Sequence, residues 1–233
     1  MFAAIDGQSG GTYTAGVYQW SGTIWQRMST PAVTGNVRLG GVWGWSPGLF
    51  YAVGGKLDAS GTRSGGFIWV YDGCTWSDQS IVLPPDTLEL AAINGAGGVT
   101  IVGGYFTGSP DPSIAALTFN LLGGFVRYND DPLGKVMNRV ASVWVDIGGA
   151  LVGGAADMPI GSVANGDARI GYADSDLTST AVDSVASLVT GFWNPADSDL
   201  VWATTYSTAA PARVYAGNCH QYDPNGGSSI HQR

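Results

Sequence analysis

Histidine, the usual general base for a serine or cysteine nucleophile, occurs only as His220 and His231. A nucleophile would need one of them together with an orienting carboxylate. Cys219 directly precedes His220, but neighbouring side chains of a strand point to opposite faces, so this pair is poorly placed to act together. Glycoside hydrolysis uses two carboxylates, commonly including a glutamate, and Glu89 is the only glutamate. We therefore expect that the chain is not an enzyme, and no cofactor is implied.

Three short acidic segments could supply oxygen ligands to calcium. They are Asn-Asp-Asp at 129–131, Asp-Ser-Asp at 174–176 and Asp-Ser-Asp at 197–199. None of them matches the twelve-residue calcium loop with its terminal glutamate. Solvated turns are the favoured interpretation, so no metal site is predicted, although calcium binding stays open as the alternative.

Ligand contacts are expected on the longer loops that follow the apolar strands of a repeat, because such loops vary while the strands recur. These loops span 56–65, 105–113, 155–166 and 206–210. Their aromatic residues could stack on sugar rings, and their aspartates could accept hydrogen bonds from hydroxyl groups. The candidate binding residues are Tyr105, Phe106, Asp111, Asp157, Asp167 and Tyr206. For the aromatic residues, a packing role is the favoured alternative.

Composition indicates that strands, not helices, carry these loops. The sequence has 36 glycines, 9 tryptophans and 10 tyrosines, whereas lysine appears only as Lys56 and Lys135. Aromatic residues suit strands and glycine suits the turns between them, while glutamate and lysine, which favour helices, are scarce. The 233 residues fit one all-β domain.

Charge and cysteine content exclude several classes of partner. A net charge of −8 with scattered arginines offers no basic stripe for nucleic acid. The sequence has no apolar stretch near the roughly 20 residues that span a bilayer and no signal-peptide pattern, so neither membrane insertion nor export is expected. Cys74 and Cys219 are expected to be free thiols.

An internal repeat with a period near 50 residues runs through the chain. Phe-Tyr-Ala-Val-Gly-Gly at 50–55, Val-Thr-Ile-Val-Gly-Gly at 99–104 and Gly-Ala-Leu-Val-Gly-Gly at 149–154 each end an apolar strand with a glycine doublet. The doublets recur at steps of 49 and 50, and extrapolation reaches 2–7 and 200–203. Five repeats therefore fill the sequence.

A second motif follows each of these strands, an aromatic strand, a tight turn and another aromatic strand. It is clearest at 67–76, where Asp72-Gly73 is a two-residue hairpin signal, and it recurs at 17–25 around Ser21-Gly22. A further strand precedes each doublet strand, at 37–45, 88–93, 138–145 and 185–193. Each repeat thus holds four short strands.

Four-stranded repeats around an axis predict a single β-propeller of about five blades, because each blade needs its neighbours to cover its faces. The predicted blades are approximately 1–36, 37–87, 88–138, 139–184 and 185–233. The Val-Gly-Gly strand end and the aromatic-Asp-Gly-x-x-Trp hairpin resemble kelch and galactose-oxidase-like propellers, and above all their bacterial and phage relatives. A β-sandwich and a parallel β-helix are the less favoured alternatives.

The first repeat starts at its second strand, so its innermost strand has to come from elsewhere. Residues 228–233 are one candidate, since propellers commonly join their first and last blades. Strand addition by another protein chain is the other.

The predicted function is that of a non-enzymatic structural or binding propeller in a bacteriophage virion, in a tail or head appendage that serves assembly or host attachment. The expected partners are other virion proteins, a host-surface glycan or protein, or further copies of the chain. A free-standing carbohydrate-binding propeller and a kelch-type protein-interaction adaptor are the alternatives. The resemblance implies a fold and says little about chemistry.

Overall fold

A computed structural model of the chain describes most of the strands and part of the loops. The described residues are 1–9, 12–33, 35–80, 83–96, 99–106, 116–120, 124–127, 129–130, 137, 139–146, 149–156, 167–173, 176–181, 188–193, 200–206, 214–218 and 231–232.

The regular elements within these ranges are twenty β-strands, which we group by pairing into five units. Unit 1 has three strands, β1 (Phe2–Ser9), β2 (Thr12–Trp20) and β3 (Trp25–Arg27). Unit 2 has four strands, β4 (Asn36–Ser46), β5 (Leu49–Leu57), β6 (Arg63–Tyr71) and β7 (Trp76–Asp78). Unit 3 comprises β8 (Thr87–Ala96), β9 (Val99–Phe106), β10 (Ala116–Asn120) and β11 (Gly124–Arg127). The prediction of an all-β chain is confirmed.

The remaining strands repeat the four-stranded arrangement. Unit 4 comprises β13 (Arg139–Asp146), β14 (Gly149–Ala156), β15 (Asp167–Ala173) and β16 (Asp176–Ala181). Unit 5 comprises β17 (Leu188–Trp193), β18 (Leu200–Tyr206), β19 (Val214–Asn218) and β20 (His231–Gln232). The short strand β12 (Asn129–Asp130) lies between units 3 and 4 in the sequence.

Units 1, 2 and 5 are separate antiparallel sheets in which the strand order follows the sequence. Units 3 and 4 belong to one nine-stranded sheet, because Arg139 of β13 pairs with Tyr105 of β9. In that sheet β12 also pairs in parallel with β16. The predicted four strands per repeat are therefore present in units 2 to 5.

An irregularity recurs at one place in the first strand of units 2 to 5. The pairing register shifts by one residue between Leu39 and Gly41, between Leu90 and Ala92, between Val140 and Ser142, and between Val189 and Gly191. Each shift is a β-bulge, which bends the strand and increases its twist. On the second strand of each unit, one residue pairs with the first-strand residue that begins the bulge. These second-strand residues are Gly54, Gly104, Gly154 and Thr205.

Backbone crowding explains the glycines opposite three of these bulges. A Cβ added at Gly54, Gly104 or Gly154 would overlap the carbonyl oxygen of the residue just before the bulge. The structure thereby corrects the alignment of the doublets, since the second glycine of units 3 and 4 is equivalent to the first glycine of unit 2. A one-residue slip of this kind exchanges the two faces of a strand, which spacing in the sequence does not reveal.

The hydrophobic core lies between the units. One cluster joins unit 1 to unit 2 through Val17, Ala52 and Phe67, and the largest joins units 2, 3 and 4 through residues such as Val53, Leu90 and Val140. A third cluster joins units 4 and 5. Each described boundary between consecutive units is therefore sealed by apolar side chains from both of them, as expected when one sheet cannot cover its own faces.

The hairpin motif forms where it was predicted, but its loop is longer than the expected two residues. Tyr71 pairs with Trp76, so four residues connect β6 to β7, with Gly73 at a φ of 97°. Asp72 closes this turn by accepting hydrogen bonds from the backbone N–H groups of Cys74 and Thr75 at 2.9 and 2.7 Å. Unit 1 has the same four-residue connection.

The described part of the C-terminal segment, His231 and Gln232, does not complete unit 1, which was one of the two expectations. His231 and Gln232 pair with Ala216 and Tyr215 of β19, so this part of 228–233 is the fourth strand of unit 5. The shared sequence pattern could not distinguish an outer strand of the last unit from an inner strand of the first. Among the described residues, none lies in a helix long and apolar enough to cross a membrane.

Candidate functional site

A buried charged cluster lies where units 2, 3 and 4 meet. Arg63 begins β6, Glu89 lies near the start of β8, Tyr105 lies near the end of β9, and Arg139 begins β13. The Arg63 guanidinium donates to the Glu89 carboxylate, and the two side chains are only 10% and 8% exposed. An ion pair withdrawn from water in this way is sensitive to the loss of either partner.

Tyr105 forms the middle of this cluster. Its residue is 2% exposed, and the guanidinium carbons of Arg63 and Arg139 lie 4.9 and 4.7 Å from the centre of its ring. Burial raises the pKa of the Tyr105 hydroxyl, and the positive charges of Arg139 and Arg63 act against that shift. The phenol therefore stays neutral at physiological pH and presents its ring to two cations, an arrangement worth roughly 0.5–2 kcal/mol per contact.

This charged cluster links neighbouring units of the chain. It places cations of units 2 and 4 on either an anion or an aromatic ring of unit 3, so each attraction crosses a boundary between units. Tyr105 was predicted as a ligand-contacting loop residue, with packing as the favoured alternative, whereas Arg63, Glu89 and Arg139 were not predicted as site residues.

A signal for the missed residues does exist in the repeat. Arg38, Glu89 and Arg139 each occupy the position just before the bulge of a first strand, at steps of 51 and 50. Charged residues at a fixed phase of otherwise apolar strands indicate a polar contact between repeats. Arg38 is exposed, however, and only the other two belong to the buried cluster.

The predicted ligand residues fall at one end of the units, where second strands end and third strands begin. Phe106 ends β9, Tyr206 ends β18, and Asp167 begins β15 opposite Ala156. Asp111 and Asp157 lie outside the described residues. The predicted loops are also shorter than expected at their starts, because Lys56, Tyr105, Ala155 and Tyr206 all lie within strands. A ligand role for these residues stays a prediction.

The loop between β5 and β6 shows how an aspartate is used at this end. The Asp58 carboxylate accepts hydrogen bonds from Ser60 N at 2.8 Å, from Ser60 Oγ at 2.6 Å and from Thr62 N at 2.9 Å. These bonds, led by the Ser60 hydroxyl, lower the pKa of Asp58. The carboxylate thus folds its own loop, and an aspartate here is not by itself a ligand group.

The other chemical candidates are placed only in part. Cys74 is exposed in the turn of unit 2 and is a free cysteine. Cys219, His220 and most of the acidic segments lie outside the described residues, and His231 lies in β20. Within the part of the chain that the structure describes, no group of three or more metal-ligating side chains comes together.

Comparison with known proteins provides a fold likeness. No family model matches the sequence, and a search of curated proteins finds no match. Among solved structures, the chain is similar to PorZ of Porphyromonas gingivalis, described as an essential bacterial surface component of the type-IX secretion system. The match has a TM-score of 0.54 and 16% identity, and it covers 94% of this chain and 30% of PorZ. This likeness shows that the two proteins share a fold over a region about 30% as long as PorZ.

Proposed function

We propose that the chain is a non-enzymatic structural or binding module whose five units are blades of a β-propeller. The observation that carries this proposal is the repetition of antiparallel units of three or four strands, each packed through apolar residues on the next. Such an array is stable through its unit boundaries and leaves its loops free to vary. The buried charged cluster supports the same role, because it reinforces boundaries instead of forming an open site.

The finer proposal is a component of a bacteriophage virion, in a tail or head appendage used for assembly or host attachment. Supporting it are the resemblance of the repeats to bacterial and phage propellers and a surface that relies little on charge, with charged residues at 12% of the chain. The partners would be other virion proteins or a host-surface molecule.

Localisation on purified particles tests this proposal. Particles are labelled with an antibody against the chain and viewed by electron microscopy, and the chain is quantified in the same particles by mass spectrometry. Label at a constant place on the particle, with a fixed copy number, is the expected result. Recovery of the chain only outside particles would contradict the virion role.

Carbohydrate binding is the second candidate, favoured by the placement of Phe106, Tyr206 and Asp167 at one end of the units. It predicts binding on a glycan array that falls about fivefold or more in Phe106→Ala or Tyr206→Ala variants, since aromatic stacking contributes about 1 kcal/mol or more. Ala59→Ser, in the exposed loop of unit 2, is the matched control. An array with no binding to any glycan would reject this candidate.

A further inference from the structure

Strand β1 is a long strand at the edge of unit 1. All eight of its residues, Phe2–Ser9, pair with β2 without a register shift, and among the described strands β1 pairs with no other. The strands that end the units on their other side, β3, β7, β11 and β20, are short, with two to four residues. A long regular edge presents a row of backbone N–H and C=O groups to which another strand can add.

The position of β1 in unit 1 is that of a second strand. Trp20–Trp25 and Tyr71–Trp76 both close a four-residue turn, so β1 aligns with β5 of unit 2. In units 2 to 5, each second strand pairs with a first strand on one side and with a third strand on the other. Among the described strands, four first strands therefore serve five second strands.

Ala4 shows how the unpaired edge affects burial. It pairs with Val17, which belongs to the apolar cluster shared by units 1 and 2, so Ala4 lies on the side of the sheet that packs on unit 2. Ala4 is nevertheless partly exposed, whereas the equivalent residue Val53 of β5 is 0% exposed. A further unit packed on the other side of unit 1 would cover a face of the sheet and not this edge. Closing a ring of units therefore leaves the edge available.

The first strands of units 2 to 5 have a protection that β1 lacks. Each of them contains a bulge, and a bulge twists an edge away from further pairing. The first strand of unit 2 is also in close contact with that of unit 3, because a Cβ added at Gly40 would overlap the Leu90 carbonyl oxygen. The sequence of β1 contains neither proline nor lysine, which commonly protect edges. Its regular edge is therefore suited to pairing.

The alternation of an antiparallel pair identifies the backbone groups on this edge. The Met1 carbonyl accepts a hydrogen bond from the Trp20 N–H at 2.9 Å, so Met1 directs its backbone toward β2. The N–H and C=O of one residue point to the same side, and the side alternates along the strand. The backbone groups of Phe2, Ala4 and Asp6 consequently face the open edge.

Ile5 indicates which first strand is the better template for an added strand. Ile5 occupies the position of Gly54, which lies opposite the bulge in unit 2. In unit 5 the same position is Thr205, a β-branched residue that pairs with Val189 at the start of a bulge. A strand similar to β17 therefore fits β1 better than a strand similar to β4.

Asp6 indicates the charge of an added strand. It is the charged residue of β1, and it lies at the register position that pairs with Arg38 in unit 2 and with Arg139 in unit 4. Residues of opposite charge that face each other across two strands stabilise the pair, whereas like charges weaken it. A basic residue opposite Asp6 would therefore favour binding.

We propose that the free edge of β1 binds an extended strand of another protein chain, antiparallel to β1 and with a basic residue opposite Asp6. Backbone hydrogen bonds would provide the affinity and the side chains the register, as in other cases of strand addition. Each described first strand of this chain already pairs with its own second strand, so the added strand comes from a partner. The proposal rests on the proposed structural role and deepens it by naming the class of partner.

A synthetic strand tests the proposal on the full chain. The probe is a fluorescein-labelled peptide of residues 186–194 that carries Leu188→Lys, the position opposite Asp6. Fluorescence anisotropy should show saturable binding to the wild type. The same peptide with Leu188→Glu should bind at least about threefold more weakly, because it places like charges opposite each other. Methylation of the Gly191 nitrogen, opposite Ala4, should weaken binding of the lysine peptide at least about fivefold.

Variants of Ala4 locate the binding site on the chain. Ala4→Pro removes an N–H from the free edge and leaves the hydrogen bonds to β2, and proline is tolerated on an edge strand in this orientation. This variant should bind the lysine peptide at least about fivefold more weakly. Ala4→Val is the matched control, because it keeps the N–H and introduces the residue found at the equivalent Val53. Its affinity should stay within about twofold of the wild type.

Circular dichroism and the melting temperature establish that both variants are folded, and the methylated peptide carries the test on the wild type if Ala4→Pro is not. No saturable binding of the lysine peptide overturns the proposal, as does equal binding of the methylated peptide or of folded Ala4→Pro. Equal binding of the lysine and glutamate peptides overturns the assigned register and with it the chemistry of the partner. Particle labelling reports on the proposed function separately, so a chain that joins particles but binds no peptide leaves that function standing.

Discussion

The Arg63 guanidinium donates a hydrogen bond to the Glu89 carboxylate and thereby joins the third strand of unit 2 to the first strand of unit 3. Tyr105 of unit 3 extends the contact to Arg139 of unit 4. Polar attraction and apolar packing thus act at the same boundaries.

Replacing Glu89 by leucine should destabilise the fold by about 3 kcal/mol, because the variant leaves a buried guanidinium without its carboxylate. Urea unfolding followed by tryptophan fluorescence measures the change. The double variant Arg63→Met/Glu89→Leu should recover part of the loss. Arg38→Leu, at the equivalent but exposed position of unit 2, is the control and should cost no more than about 1 kcal/mol, because interactions of exposed charges contribute little. Equal losses of stability in Glu89→Leu and Arg38→Leu would contradict the role of the ion pair.

Gly104→Ala should destabilise the fold by about 2 kcal/mol or more, since the added Cβ overlaps the Glu89 carbonyl oxygen and backbone has to move. Gly65→Ala is the matched control, because a Cβ at Gly65 meets no atom within 4 Å. The control should stay within about 0.5 kcal/mol of the wild type. Thermal melts of the two variants decide the point, and a harmless Gly104→Ala would show that the bulge is not packed as described.

Acid should weaken the turn of unit 2. Hydrogen bonds from the backbone of Thr75 and Cys74 lower the pKa of Asp72. The Asp72 carboxylate therefore contributes its full stability above the ordinary carboxyl pKa of about 4. This contribution is lost as the pH falls through the lowered pKa of Asp72. Melting temperatures between pH 7 and pH 2 should fall less steeply for Asp72→Asn, which cannot titrate, than for the wild type. Superimposable pH profiles would speak against this.

Alkali should weaken the boundary between units 2 and 3. Burial raises the pKa of Tyr51 to about 12, above the ordinary value of 10.0. Folding therefore favours the protonated phenol, and the resulting stability is complete below pH 10 and is lost as the pH rises toward 12. The urea midpoint of Tyr51→Phe should decline less over that interval than that of the wild type. Tyr18→Phe, in β2 of unit 1, serves as the control, and an equal effect there would refute the assignment to Tyr51.

The hairpins and the strands were predictable because the residues that determine each of them lie within a short stretch of sequence. Asp72 and Gly73 identify one turn, and the apolar runs before and after the glycine doublets identify strands. The equivalence of Gly54 with Gly104 was not predictable, because it depends on the position of a bulge in the partner strand. To assign each glycine of a doublet to one face of its strand, both the doublet spacing and the positions of the bulges had to be known.

The charged cluster was missed for a similar reason. Arg63, Glu89 and Tyr105 come from different strands of two units, and no spacing along the chain relates them. Only pairing between β8 and β9, together with packing of β6 on β8, brings them together. The pairing of β20 was also not predictable, since two residues in a polar tail have no sequence pattern that indicates their partner strand.

The bulges have a consequence for how such a chain can arise by duplication. Copies of a segment seldom stay equal in length, and one inserted or deleted residue would normally turn every following side chain of a strand inside out. Unit 2 has one residue more than units 3 and 4 between its shared bulge and the following turn, and a second bulge, between Gly44 and Ser46, absorbs that residue. The first strand of unit 2 therefore tolerates a difference in length that would otherwise have reversed its two faces.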